Sequence, residues 1–123
     1  MDEALFFQDW PQLFGLYMAL RERLTARYPD MAVRVSKTQI SFYNRHMFAM
    51  ASLPVRRKKE WPGEFLMVSF GLARRAQSSR IAVCTEAYPD RFTHHVIVER
   101  EEELDDELMA WIGEAYDFAL SKR

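Results

Sequence analysis

The residues best suited to acid–base chemistry are the adjacent histidines His94 and His95 and the nearby acid Glu86. Neighbouring side chains on a strand point to opposite faces of a sheet, so the two imidazoles cannot ligate the same metal ion. If the hairpin that contains them pairs Ala87 with Thr93, Glu86 lies opposite His94. A carboxylate beside an imidazole can exchange protons, and it is also an ordinary way to satisfy a half-exposed histidine. Glu86, His94 and His95 are therefore the catalytic candidates, and the structural interpretation stays open beside the catalytic one.

Cys84 is the only cysteine, and it lies in the middle of a predicted strand. A free thiol in such surroundings usually behaves as a small buried hydrophobic group. A single cysteine excludes an internal disulfide framework and a cysteine-based zinc site. The four glycines are not spaced as in a phosphate-binding loop, and no metalloprotease or serine hydrolase signature is present. We expect no metal and no cofactor.

Four consecutive cations, Arg56, Arg57, Lys58 and Lys59, stand beside Trp61. Phosphate-pairing charge next to a stacking ring is typical of a nucleic-acid contact, and the same composition also occurs in solvated loops. Charge is unevenly distributed, because residues 34–80 hold ten Lys or Arg against two Glu, whereas residues 86–107 hold nine acids against two Arg. This asymmetry indicates either two solvated surfaces or an anion-binding face.

Two helices and a set of closely connected strands must position these residues. Leucine and tyrosine residues recur at helical spacing over Pro11–Arg27, and a second apolar stripe follows the acidic stretch 101–107. That second stripe consists of Leu104, Leu108, Trp111, Ile112, Ala115 and Phe118 or Ala119. The segments with strand character are residues 32–42, 46–53, 64–72, 81–87 and 93–99. The third of these is apolar on both faces, which indicates a central strand.

A chain of 123 residues forms one domain, which we assign to residues 1–123. The short connections between strands favour antiparallel pairing. Each helix has one apolar stripe, so both helices are expected to pack on one sheet face. The predicted fold is α+β, a two-layer sandwich of about five mostly antiparallel strands in a meander. The acidic start and the lack of a long apolar run predict a cytoplasmic protein without a membrane partner.

The first hairpin presents two different faces if it turns at Asn44-Arg45. Phe42 then pairs with Met47, and the core face holds Thr38, Ile40, Phe42, Met47, Ala49, Ala51 and Leu53. The opposite, open sheet face holds Lys37, Gln39, Ser41, Tyr43, His46, Phe48 and Met50. Phe48 and Met50 are large side chains to leave in water, so this face is either a solvated surface, a ligand site or the interface of a homodimer.

Several segments resemble an uncharacterised bacterial family catalogued as domain of unknown function 5655. They are Lys37–Phe42, Phe48-Ala49 with Leu53-Pro54, Arg91–Val96, Glu103–Asp105 and Glu114–Tyr116. The resemblance extends roughly from Phe6 to Ala119 and implies a small helix–sheet–helix domain, which also occurs fused to larger proteins, some of them linked to nucleic-acid processing. It implies no activity. The recurring polar residues, which are candidates for a shared pocket, are Lys37, Gln39, Ser41, Arg91, Thr93 and His95.

Three hypotheses about function follow. The first is a non-catalytic binding module whose open sheet face, lined by Lys37, Gln39, Ser41 and His95, receives a small anionic ligand or a protein partner. The second is a nucleic-acid module that uses the basic loop 56–59. The third is an enzyme that uses Glu86 with His94 or His95 as acid and base. The position of these side chains on the folded sheet distinguishes the three.

Overall fold

An antiparallel sheet of six strands, flanked in sequence by helices, forms the body of the protein in a computed structural model that describes residues 2–122. The elements in chain order are α1 (Glu3–Phe6), α2 (Phe14–Arg27), β1 (Ala32–Val35), β2 (Ile40–Asn44), β3 (His46–Ser52), β4 (Leu66–Leu72), β5 (Ile81–Tyr88), β6 (Arg91–Val98) and α3 (Asp106–Ser121). Single 3₁₀ turns precede α2 at Pro11–Leu13 and α3 at Glu101–Glu103. The α+β class predicted from the sequence is confirmed.

The strand count is six because the segment predicted as one long first strand reverses in its middle. The backbone N–H of Ser36 donates to the carbonyl of Gln39 at 2.9 Å, and the Ser36 hydroxyl donates to the same carbonyl at 3.0 Å. A serine that bonds its own turn in this way favours a chain reversal over a continued strand. The residues before and after the turn therefore form the hairpin β1–β2.

Strand β4 occupies the centre of the sheet, as its apolar sequence indicates. All seven of its residues are buried, and it pairs with β3 on one side and with β6 on the other. The strand order is β1-β2-β3-β4-β6-β5. The first four strands form the expected meander, and the order departs from it at the end, because β6 is inserted between β4 and the edge strand β5.

Both long helices pack on the same sheet face, as predicted from their single apolar stripes. The α2 side chain Tyr17 stacks on Phe42 with ring centroids 6.4 Å apart, and the α3 side chain Trp111 stacks on Phe70 at 5.8 Å. The predicted stripe of α3 is buried at Leu104, Leu108, Trp111, Ile112, Ala115 and Ala119. None of the helices within residues 2–122 combines the length and the apolar character that a bilayer crossing requires.

The predicted register of the first hairpin is wrong by two residues. Phe42 pairs with Ala49, and a bulge between Phe42 and Tyr43 leaves Phe48 without a partner across the hairpin. Arg45 alone makes the turn, in the left-handed region at φ 62°. The extra residue of a bulge turns the following side chain to the other face.

Phe48 therefore lies on the helix face and not on the open sheet face. Only 2% of it is exposed, and it meets Tyr28 and Tyr116 edge-on at 5.5 and 5.0 Å. Met47, which was assigned to the core face, lies 3.8 Å from the side-chain amide of Gln39 on the opposite face. Since Phe48 is covered by a helix, it gives no argument for a homodimer through the open face.

Candidate functional site

One side chain from each strand contributes to a row across the sheet face opposite the helices, which we call the open face. Successive members of this central row are direct register partners, and paired residues share a face. The members, from β1 to β5 across the sheet, are Arg34, Ser41, Met50, Ser69, His95 and Val83. At about 4.8 Å per strand the row spans about 24 Å.

Ser69 and His95 form a hydrogen-bonded pair at the centre of this row. The Ser69 hydroxyl lies 2.6 Å from Nδ1 of His95, and only 1% of Ser69 is exposed. This hydroxyl has no other acceptor within residues 2–122, and a buried hydroxyl requires one. Its proton is therefore donated to Nδ1, which places the ring hydrogen of a neutral His95 on Nε2.

Burial favours the neutral form of the His95 imidazole. Desolvation of the charged form lowers the pKa of His95, and repulsion from the adjacent His94 adds to the effect. Within the described part of the chain, Nε2 of His95 has no hydrogen-bond partner. The open face thus carries a fixed N–H donor whose ring is oriented by Ser69.

The connection from β3 to β4, residues 53–65, folds over the open face and borders a shallow pocket beside this donor. Phe65 is buried, and the Trp61 ring meets it edge-on at 6.1 Å. The cavity, about 270 Å³, is lined by Ser52, Leu53, Arg56, Trp61, Phe65, Met67, Val83 and His95. We call it the His95 pocket. It combines apolar walls with one guanidinium and one imidazole, and no carboxylate lines it.

A second concavity, which we call the rim groove, lies at the end of the sheet where β3 finishes. Its main cavity, about 580 Å³, is lined by Phe6, Lys37, Thr38, Ser52, Leu53, Val55 and Arg56. An adjoining cavity of about 360 Å³ shares Phe6, Lys37, Leu53 and Val55 with it. Because Ser52, Leu53 and Arg56 also line the His95 pocket, the groove and the pocket are neighbours.

The four predicted ligand-binding residues lie on the open face or its rim, but not in one concavity. Gln39 donates through its side-chain amide to Ser41 at 2.9 Å, so these two form a local pair. Ser41 lies three strands from His95, about 14 Å away at the usual strand spacing. Lys37 lines the rim groove. Of the four predicted residues, only His95 lines the His95 pocket.

His94, one of the catalytic candidates, has a structural role. Its Nδ1 lies 3.0 Å from the carbonyl of Phe92, and the backbone N–H of Ala76 donates to Nε2 at 3.0 Å. The ring is fully buried and stacks on Phe70 at 5.3 Å. Both nitrogens are used by the backbone, and burial lowers the pKa of His94.

The expected cross-strand pair of Glu86 with His94 does not form. The hairpin closes through a turn of only two residues, with Asp90 in the left-handed region at φ 65°, and irregularities interrupt the register near Ala82 and Ala87. These features shift the pairing by two residues. Glu86 is exposed and lies opposite Phe92, while Cys84, partly buried and free, lies opposite His94.

The cations of the basic segment, residues 34–80, divide into paired and unpaired ones. Arg74 binds Glu114 through two hydrogen bonds of 2.8 and 2.7 Å, and Arg80 pairs with Asp105 at 2.8 Å and with Glu107 at 3.1 Å. The four basic residues 56–59 are exposed and take part in no ion pair within residues 2–122. These four unpaired cations belong to the connection over the open face, where Lys58 lies 5.6 Å from the Trp61 ring.

Two residues that sequence reasoning passed over, Ser69 and Arg34, belong to the central row. A serine inside the apolar run Val68 to Phe70 is a usable signal, because a buried hydroxyl must find a partner. Arg34 lies 4.8 Å from the Tyr43 ring. No group of three or more His, Cys, Asp or Glu side chains suited to a metal ion occurs among residues 2–122.

Arg91 rests on the open face because Gly71 has no side chain. A Cβ at Gly71 would lie 2.6 Å from Nη2 of Arg91, whose Nη1 donates to Thr93 at 2.7 Å. Arg91 and Thr93, which the family resemblance singled out, are therefore in direct contact. The guanidinium adds a third cation, after Arg34 and Arg56, to this side of the sheet.

We predict that Gly71→Ala displaces the Arg91 guanidinium and breaks its bond to Thr93, while the free energy of unfolding changes by less than about 1 kcal/mol, because the flexible end of the arginine can move. Chemical denaturation and the NMR signals of Arg91 and Thr93 check this. Gly15→Ala, at a helical position with open space, is the control. A large loss of stability would show that the strand itself cannot accept the methyl group.

Comparison with known protein families identifies a match over most of the chain. The model of the family described as Domain of unknown function (DUF5655) matches residues 6–119. No curated protein and no solved structure matches the chain significantly.

Proposed function

Because the chain belongs to the DUF5655 family of domains of unknown function, whose description names no activity, we propose from its geometry that it is a binding module that receives an anionic ligand on the open face. The ligand is a free small anion or an anionic group of a protein partner. The observation that carries the proposal is the unpartnered Nε2–H of His95 in a pocket that also contains Arg56.

The donor set fits an anion. A neutral imidazole whose Nδ1 is occupied by Ser69 offers one N–H, and a guanidinium offers several N–H groups in a planar fork that suits a carboxylate or a phosphate. Apolar walls from Trp61, Phe65 and Met67 reduce competition from water, which strengthens such hydrogen bonds.

The charge of the surrounding face supports the same conclusion. Arg34, Arg56 and Arg91 border the face and enter no ion pair within the described residues. The strand residues that the register assigns to the open face include no Asp or Glu. A face with unpaired cations and no fixed carboxylate raises the local concentration of anions.

We predict that His95→Gln weakens the binding of inorganic phosphate about tenfold or more, because a hydrogen bond to a charged group contributes about 1.5–3 kcal/mol. Wild-type affinity should rise as the pH falls toward 6, since a bound anion favours the protonated imidazole and raises its lowered pKa. His95→Gln should lose this part of the pH dependence. Titrations followed by NMR at several pH values measure both effects.

The control is His46→Gln, which changes a histidine at the far end of β3 and should leave phosphate affinity unchanged. Arg56→Gln should weaken binding in the same way as His95→Gln, because both side chains line the pocket. If wild-type protein shows no chemical-shift change at His95 up to high phosphate concentration, the proposed function is wrong.

A further inference from the structure

Two large apolar side chains are exposed at the rim groove. Of the large apolar side chains in residues 2–122, three are clearly exposed, and two of them, Leu5 at 48% and Val55 at 78%, line this groove. The third is Tyr88, which lies beside the turn of the β5–β6 hairpin, at the opposite end of the sheet from the groove. Clustered apolar exposure of this kind marks an interaction site more often than scattered apolar residues do.

The wall of the groove that comes from α1 is held in place. The Tyr17 hydroxyl hydrogen-bonds the Glu3 carboxylate, and Arg21 pairs with the same carboxylate at 2.6 Å. These contacts fix the short helix that carries Leu5 and Phe6. Phe6 is itself buried in the core, so the apolar floor of the groove is continuous with the interior.

Positive charge lies in the main cavity of the groove. Lys37 and Arg56 both line it, neither forms an ion pair within the described residues, and Arg56 also lines the His95 pocket. The one carboxylate that lines the groove, Asp9, belongs to the outer cavity, which Lys37 also lines and Arg56 does not. The groove therefore joins a cationic end to a largely apolar wall.

We propose that the rim groove binds the apolar chain of an amphipathic carboxylate, a small acid whose head group lies between Arg56 and Lys37 and whose hydrocarbon tail runs over Phe6, Leu53 and Val55. This inference rests on the proposed function, because it uses the same cation, Arg56. It adds the chemical class of the ligand. The combined cavity sizes fall within the usual range for small-molecule sites.

The test is a series of straight-chain carboxylates, acetate, butyrate, hexanoate and octanoate, titrated into the full chain by calorimetry and NMR. Burying a methylene group strengthens binding up to about fourfold. We expect affinity to rise by about two- to fourfold per methylene and then to level off when the groove is full. Val55→Ser should weaken octanoate binding by about three- to tenfold and leave acetate binding unchanged.

The matched control is Tyr88→Ser, which removes an exposed aromatic ring far from the groove and should leave the whole series unchanged. Val55 is largely exposed, so its replacement leaves the fold intact. Equal affinities for acetate and octanoate would overturn the inference while leaving the anion site intact. A response to anionic phospholipid vesicles but to none of the soluble acids would also overturn it, in favour of a membrane surface.

Discussion

Replacing Trp111 by alanine is expected to lower the free energy of unfolding by about 3–5 kcal/mol. Only 8% of Trp111 is exposed, and its ring stacks on Phe70 of the central strand β4 at 5.8 Å. Deleting the indole removes buried apolar area and leaves a cavity between α3 and the sheet. Urea denaturation followed by far-UV circular dichroism measures the change without depending on tryptophan fluorescence.

Trp61→Ala is the matched control, because Trp61 is only partly buried and lies on the other side of the sheet. It should lower stability by much less than Trp111→Ala. A loss below about 1 kcal/mol for Trp111→Ala would contradict the docking of α3 described above.

The second large effect is expected for His94→Phe. An aromatic ring still faces Phe70, but the buried N–H of Ala76 loses its acceptor. An unsatisfied buried donor costs about 1–3 kcal/mol. We therefore expect a loss of this size at pH 8, where histidine is neutral in both folded and unfolded protein. Denaturation at pH 8 measures it.

The same variant should change how stability depends on pH. The pKa of His94 is lowered in the folded protein, chiefly by burial and further by Arg74 and Arg75, while Glu114 is the carboxylate near it. As the pH falls below about 6.5, the unfolded chain takes up a proton first, so the folded state loses stability until the lowered folded pKa is reached. The pKa of His95 is lowered as well. His94→Phe should therefore reduce the histidine-linked loss of folding stability between pH 7 and 5. The double variant His94→Phe with His95→Gln should abolish this loss. If the slope of stability against pH is unchanged in His94→Phe, the lowered pKa assigned to His94 is contradicted.

The elements in which apolar residues follow a clear pattern were predictable from the sequence alone. The stripe from Leu104 to Ala119 repeats at helical spacing, and burial of one face follows directly from it. The run Leu66–Leu72 is apolar at nearly every position, which only a strand covered on both faces tolerates. These two patterns fix the central strand and the helix packed on it, and the α+β class follows.

The details that depend on turns and bulges were not predictable. Whether Phe48 lies in the core or on the open face depends on one extra residue in β3, and alternation alone does not show it. The register of β5 against β6 likewise depends on a two-residue turn at Pro89-Asp90. The pairing of Ser69 with His95 follows from the register of β4 against β6. It depends on the insertion of β6 between β4 and β5, so it could not be read from the chain, although the candidate His95 was identified.

The same irregularities bear on how the protein avoids aggregation. An open sheet has two free edges, and a straight, regular edge strand can recruit a strand from another molecule. Here β1 has only four residues, and β5 departs from regular pairing near Ala82 and again near Ala87. Local twist at such bulges misaligns the free N–H and C=O groups with an incoming strand. Substitutions that straighten β5 should therefore promote fibrils before they reduce the stability of the folded monomer.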